Sequence, residues 1–273
     1  MKYRGGFLKI TIGKPGQEQT NEDSVIVRDN LMAVSDGAGG GGVYADKWSA
    51  YLVSKLPPEP ITSFDGVKMW IDSIWEAFYN KYEKEAEKMG GLVLQKFYDE
   101  GSFATIAAVW IEGDVCRWMS YGDSVVFHYG ARTQRLEHSF TTLADFNKPP
   151  YLISLHDELV EKAFHAGEYF LEGGDIVLCA SDALAHYILM QYALSHRDEY
   201  DPQLREAIRA KTKNSFHIEA ASSLKCDFER DVVRKLVRCC GHPYNFLRHM
   251  ESRLRKSLIS LDDYSCTIYI KQQ

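Results

Sequence analysis

Alternating apolar and polar positions mark out the first elements of the chain. Phe7 to Ile12, Ser24 to Val27 and Leu31 to Ser35 are short apolar or alternating runs bounded by Gly, Asn and Asp, and they predict strands. The period then changes. From Val43 to Leu56, the residues Trp48, Leu52 and Leu56 recur four apart, predicting a helix that Pro57-Pro58 ends. A second helix is expected over Phe64 to Met89, with Met69, Trp70, Ile74, Ala77 and Phe78 on one face. Strand patterns return at Ser102 to Ile111, Val115 to Tyr121 and Val125 to Tyr129. The last two flank Gly122-Asp123-Ser124, which reads as a hairpin turn. Arg132 to Glu137 is expected to pair on. Thr141 to Asp157, with Pro149-Pro150, reads as a surface loop. Ala163 to Leu171 and Ile176 to Ala180 complete this group of strands.

Helical periodicity then dominates, over Ala183 to Ser195, Pro202 to Ala210, Phe216 to Leu224, Phe228 to Cys240 and Pro243 to Ser260, before a last strand at Tyr264 to Ile270. No repeat, low-complexity tract or linker divides residues 1–273. Interspersed antiparallel strands with segregated helices predict one layered α+β domain, with an enlarged helical region at about 183–260.

Composition narrows the class. Hydrophobic residues make up 45% and charged residues 26%, ordinary for a globular protein. No apolar window is long enough for a membrane span, and the basic start at Met1-Lys2-Tyr3-Arg4 is followed by no small-residue cleavage pattern. The six cysteines include no CxxC pair, so reduced, buried thiols in a cytoplasmic protein are expected and zinc is not. The net charge of −6 is uneven. Residues 205–256 carry 13 Lys/Arg against 6 Asp/Glu, which leaves the rest of the chain at −13. Because apolar residues at helical spacing interrupt these cations, a solvated helix face is expected there rather than a nucleic-acid surface.

The chemistry lies in acidic turns at strand ends. The strand Leu31 to Ser35 ends on Asp36 and breaks into five glycines within Gly37 to Gly42. Alone, this is either a plain turn or a strand end whose Asp36 carboxylate and Gly37 carbonyl face a hard cation. Ile176 to Ala180 runs in the same way into Ser181-Asp182, where a helix N-cap is the competing role. Asn21-Glu22-Asp23 precedes one strand and Asp262-Asp263 precedes the last. Strand ends and strand starts meet in antiparallel neighbours, so these carboxylates can gather at one sheet edge. Such a cluster repels itself unless divalent metal neutralises it.

With these residues in place, the sequence resembles the metal-dependent type 2C protein serine/threonine phosphatases, and their bacterial branch most closely. The likeness rests on Asn21-Glu22-Asp23, Ser35-Asp36-Gly37 with its glycines, Gly101-Ser102, Gly122-Asp123-Ser124, Ala180-Ser181-Asp182 and Asp262-Asp263, in that order. It implies an antiparallel β-sandwich flanked by helices on both faces, in four α-β-β-α layers. It further implies two Mn²⁺ or Mg²⁺ ions bridged by Asp36. Asp182 and Asp262 would hold one ion and the Gly37 carbonyl the other, with Glu22 reaching it through water and Asp23 orienting a water. Asp123 would serve a third ion. The implied reaction is attack of a metal-activated water on phosphoserine or phosphothreonine in a protein substrate of a Ser/Thr kinase pathway.

Three positions depart from that pattern. Glu18 stands where the family often has a phosphate-gripping arginine, and Lys14 is the nearest cation. Ala38 stands where some members have a histidine acid. Asp182-Ala183-Leu184-Ala185-His186 replaces Asp-Gly-x-x-Asp, which puts His186 where a third-ion aspartate is usual. The alternatives are a phosphatase-like binding module without turnover and a hydrolase of small phosphoesters.

Overall fold

In the computed structural model, residues 6–17, 20–40 and 42–273 are described; Glu18 and Gly41 of the motifs above lie outside them. Two five-stranded antiparallel sheets carry the chain. The first has the order β1 (Gly6–Ile12), β12 (Tyr264–Ile270), β11 (Ile176–Ala180), β7 (Val125–Tyr129), β8 (Leu136–His138). The second has the order β10 (Phe164–Phe170), β6 (Val115–Tyr121), β5 (Ile106–Glu112), β3 (Leu31–Ser35), β2 (Ser24–Arg28). A short pair, β4 (Phe103–Ala104) with β9 (Ile153–Ser154), lies apart from both.

The sheets face each other through Met32, Val34, Val109, Val126, Val177 and Cys179, all buried. Helices α1 (Ala45–Lys55), α2 (Phe64–Met89) and α3 (Gly91–Asp99) cover the outer side of the second sheet, where Trp48, Phe78 and Phe97 pack on Ala108 and Trp110. Helices α4 (Asp182–Ser195), α5 (Arg197–Arg209), α6 (Lys213–Ser222), α7 (Arg234–Cys239) and α8 (Pro243–Leu254) cover the first sheet. The four-layer α-β-β-α sandwich expected from the resemblance is therefore present. Every residue of α4 from Ala183 to Ala193 is buried. A helix that is apolar all round must be covered all round, and the helices after α4 pack with it into one apolar core. This explains the enlarged helical region.

Several expectations change. Gly122-Asp123-Ser124 is not a hairpin: β6 pairs with β5 and β10, whereas β7 pairs with β11 and β8. The turn carries the chain from one sheet to the other. Both flanking strands are largely buried, and periodicity alone cannot say which partner a buried strand takes. The expected strand Ser102 to Ile111 is split at Thr105, and the pairing strand after Arg132 is Leu136–His138. Helix α3 was missed because Gly90 and Gly91, both at positive φ, read as a break and not as a corner between two helices. The loop Thr141 to Asp157 contains a helical turn, Leu143–Asn147, and strand β9.

Candidate active site

The acidic turns meet where the two sheets share an end. Ser24 pairs with Ser35, which sets Asp23 beside Asp36 at the end of the β2–β3 pair. In the other sheet, Ser181 and Ser265 exchange hydrogen bonds of 3.1 Å just past the β11–β12 ladder, which sets Asp182 near the start of β12. A seam of polar contacts joins the turns. Thr11 receives hydrogen bonds from Asn21 (2.7 Å) and Ser265 (2.8 Å). Asp263 accepts from the backbone N–H groups of both Glu22 and Lys14 at 2.8 Å.

The glycine run is required by close approach. A Cβ on Gly37 would lie 2.6 Å from the Glu22 carbonyl and 2.7 Å from that of Ala45, and one on Gly39 would enter the Glu22 carboxylate. The break at Thr105 has a matching cause: its N–H donates to the Asp36 carbonyl at 2.8 Å, and Gly37 bridges Ala104. The Thr105 hydroxyl meets that of Ser124 at 2.6 Å, tying the Asp36 turn to the Asp123 turn.

Burial and mutual repulsion set the electrostatics. Burial pushes Asp36 well above the usual carboxylate range, and the charges of Asp23, Asp182, Asp123 and Asp262 add to it. Asp123 is pushed up to about 8, by burial first and then by Asp182. Asp23 rises to about 7 and Asp182 to about 6, burial again leading in both. Glu22 is raised by burial, with the Lys14 charge opposing. Asp23 is only 6% exposed, and among the described residues neither of its carboxylate oxygens has a well-aligned hydrogen-bond partner, although the Ser265 and Ser181 side chains lie near enough to hold its proton affinity down somewhat. Polar atoms buried in this way are satisfied in nearly all proteins, so this pair points to a missing partner.

No protein-family profile matches the chain, and no curated protein matches it in sequence. Solved structures do match over the whole length. The Mycobacterium tuberculosis serine/threonine phosphatase PstP/Ppp superposes with a TM-score of 0.56 at 14% identity, over 98% of this chain and 99% of that one. The catalytic domain of PstP, solved with two manganese ions, gives 0.54 at 16% identity, over 98% of each chain. Serine/threonine phosphatase Stp1 from Staphylococcus aureus gives 0.55 at 12% identity, over 100% of this chain and 97% of that one. The chain has the bacterial type 2C phosphatase fold.

Within that type 2C frame, the residues singled out from sequence come together unequally. Asp36, Asp23, Asp182, Asp123 and Asp262 act on one another electrostatically, so Asp123 belongs to the same group. Glu22 lies beside them, under the Gly39 backbone. Among the described residues, no three His, Cys, Asp or Glu side chains are placed close enough to hold an ion by themselves. The donor set is nonetheless all oxygen. Magnesium in particular is commonly held by one or two carboxylates and completed by carbonyls and waters. The residues present fit such an ion. Ser181 stands at the N-cap position of α4 but makes no capping side-chain hydrogen bond, its hydroxyl accepting from the Ser265 N–H instead, while Asp182 is the first helical residue and accepts from the Ala183 N–H. His186 is buried against Phe146 at 5.4 Å and His217 at 6.3 Å, and is pushed down to about 3.

Two contributors were missed from sequence. Asp263 was given no role of its own beside Asp262, yet its burial and its two backbone N–H bonds make it the clamp of the Lys14 and Glu22 turns. Lys213, from α6, bears electrostatically on Asp182. Lys14 was noted as misplaced for an arginine, but its ammonium lies 3.3 Å from Asp262. Lys162 and His165 line a cavity of about 230 Å³ with Asp123, walled by Tyr151 and Pro150 of the loop.

Proposed function

We propose that the protein hydrolyses phosphoserine and phosphothreonine in proteins, with divalent metal held at the acidic cluster. The observation that carries this reading is the buried group Asp23, Asp36, Asp123 and Asp182 at the shared end of the two sheets, where burial and mutual repulsion raise every proton affinity and Lys213 offsets only part of the charge, at Asp182. When bound, two Mn²⁺ or Mg²⁺ ions would neutralise that charge and supply an activated water together with electrostatic support for a phosphoryl group. Asp36, Asp182, Asp262 and the Gly37 carbonyl would hold the ions, with Glu22 joining through water and Asp123 belonging to a third position. Asp23 would orient a water through its unpaired oxygens.

Lys14, Lys162 and Lys213 bring positive charge to the rim, where they would receive the substrate phosphate that Glu18 cannot. The whole chain would act as one cytoplasmic catalytic domain.

The test is phosphate release from a phosphoserine peptide with and without Mn²⁺. Metal-dependent turnover supports the reading. Turnover of p-nitrophenyl phosphate but no peptide would instead make this a small-phosphoester hydrolase. Metal binding without turnover of either would make it a binding module, the reading favoured by His186 in its apolar setting.

A further inference from the structure

A second polar cavity, of about 500 Å³, opens among α4, α7, α8 and the 224–231 segment, in the enlarged helical layer. It is strongly basic. Lys225, Lys235, Arg253 and Lys256 line it, and none of the four forms an ion pair within the described residues. The only acid in its lining, Asp231, is already held by Arg230 through bonds of 2.8 and 2.9 Å. Four like charges converging on one hollow repel one another, and among the described residues only Asp231, shared with Arg230, bears on one of them, Arg253.

The floor adds a second, independent observation. His249 and Gln191 line the cavity and are each only 5% exposed. Among the described residues the His249 Nε2 and the Arg253 Nε are buried without a hydrogen-bond partner, although the Arg253 guanidinium also meets Tyr187. Burial, followed by the Arg253 and Lys235 charges, pushes His249 down to about 3, so it meets the cavity as a neutral imidazole. A π-helical turn, Glu229–Val233, forms part of the adjoining wall, a distortion often found at functional sites.

We propose that this cavity is an anion site, separate from the acidic cluster, for a small molecule carrying two or more linked phosphoryl groups, of the pyrophosphate and nucleoside polyphosphate class. A volume of this order suits a small ligand. The lysines supply mobile point charges, and Arg253 supplies a planar fork for paired oxygens. One phosphate cannot meet four cations spread around the rim, whereas a linked chain of phosphates can. The recessed His249 and Gln191 are reachable by a narrow phosphoryl group but not by the flat face of a folded partner.

The test is calorimetric titration of the full chain with inorganic pyrophosphate and then with ATP, in EDTA and about 0.05 M salt. In EDTA the acidic cluster repels both anions. Saturable binding at one site per chain is expected. Raising the salt to about 0.2 M should weaken it several-fold. The double variant Lys235→Ala/Lys256→Ala alters two exposed side chains. It should weaken binding about tenfold or more, with Mn²⁺-dependent phosphatase activity retained. Asp123→Asn should leave anion binding intact. Absence of saturable binding by either anion overturns the proposal, and so does unchanged binding in the double variant. Binding of a phosphoserine peptide alone overturns it as well, and would assign this face to a macromolecule. The wild-type salt dependence stands as evidence even if the double variant fails to fold.

Discussion

Asp123→Asn should stabilise the metal-free protein, by an amount that grows as pH rises from about 4 to about 8. The Asp123 carboxyl is pushed up to about 8, against an ordinary value near 3.8. Its folded-state affinity for a proton therefore exceeds that of the unfolded chain. The stability it contributes is complete below about pH 4 and is lost as pH rises through about 8. From pH 6 to pH 8 the folded state must hold a proton that the unfolded state has already released. At about 1.4 kcal/mol per pH unit, with the proton half lost by pH 8, this comes to about 2 kcal/mol. In a chain of this length that is a fall in Tm of about 4–8 °C. Asparagine takes no part in this titration and should make the slope shallower by that amount, Asp36 and Asp23 keeping the remainder. The assay is thermal unfolding in EDTA across pH 6 to 8, repeated with excess Mn²⁺, which should also remove the slope in the wild type by neutralising the cluster. Equal slopes in wild type and variant, or a flat wild-type profile in EDTA, would refute the reasoning.

Three further outcomes follow from named contacts. Gly122→Ala should lower Tm by about 4–8 °C, because φ is +90° there and the new Cβ would lie 2.6 Å from the Thr105 methyl and 2.7 Å from the Tyr151 carbonyl. Trp48→Ala should cost about 3–5 kcal/mol by urea titration, since the ring is fully buried, packs on Phe78 at 4.7 Å and donates to the Ile153 carbonyl at 3.0 Å. Lys14→Ala should raise KM for a phosphopeptide about tenfold while changing kcat less, if its ammonium receives the substrate phosphate. An unchanged KM would remove Lys14 from that role.

The strands whose neighbours are Gly, Asn or Asp were legible to the residue. Leu31–Ser35, Val115–Tyr121, Ile176–Ala180 and Tyr264–Ile270 match their patterns, and so does the long helix Phe64–Met89. What failed was pairing. Buried strands β6 and β7 looked alike on both faces, so the intervening turn passed for a hairpin when it is a crossing between sheets. The same crossing brings Asp123 into the acidic group. Asp36 and Asp182 were visible because each ends an apolar strand. The roles of Asp263 and Lys213 were not, because they arise from turns and helices that meet only in the folded chain. His186 shows the converse: spacing suggested a ligand, whereas α4 is covered on every side and buries the ring among aromatics.

The central claim is that the acidic cluster is a site for divalent cations, and calorimetric titration of Mn²⁺ into the metal-free protein tests it most directly. At pH 6.5, in two buffers of different ionisation enthalpy, the account predicts about two ions bound per chain. Net proton release is also predicted, because Asp23, Asp36 and Asp123 hold protons that the metal displaces. Asp36→Asn should abolish the tighter binding. Absence of binding, or binding without proton release that survives in Asp36→Asn, would contradict it.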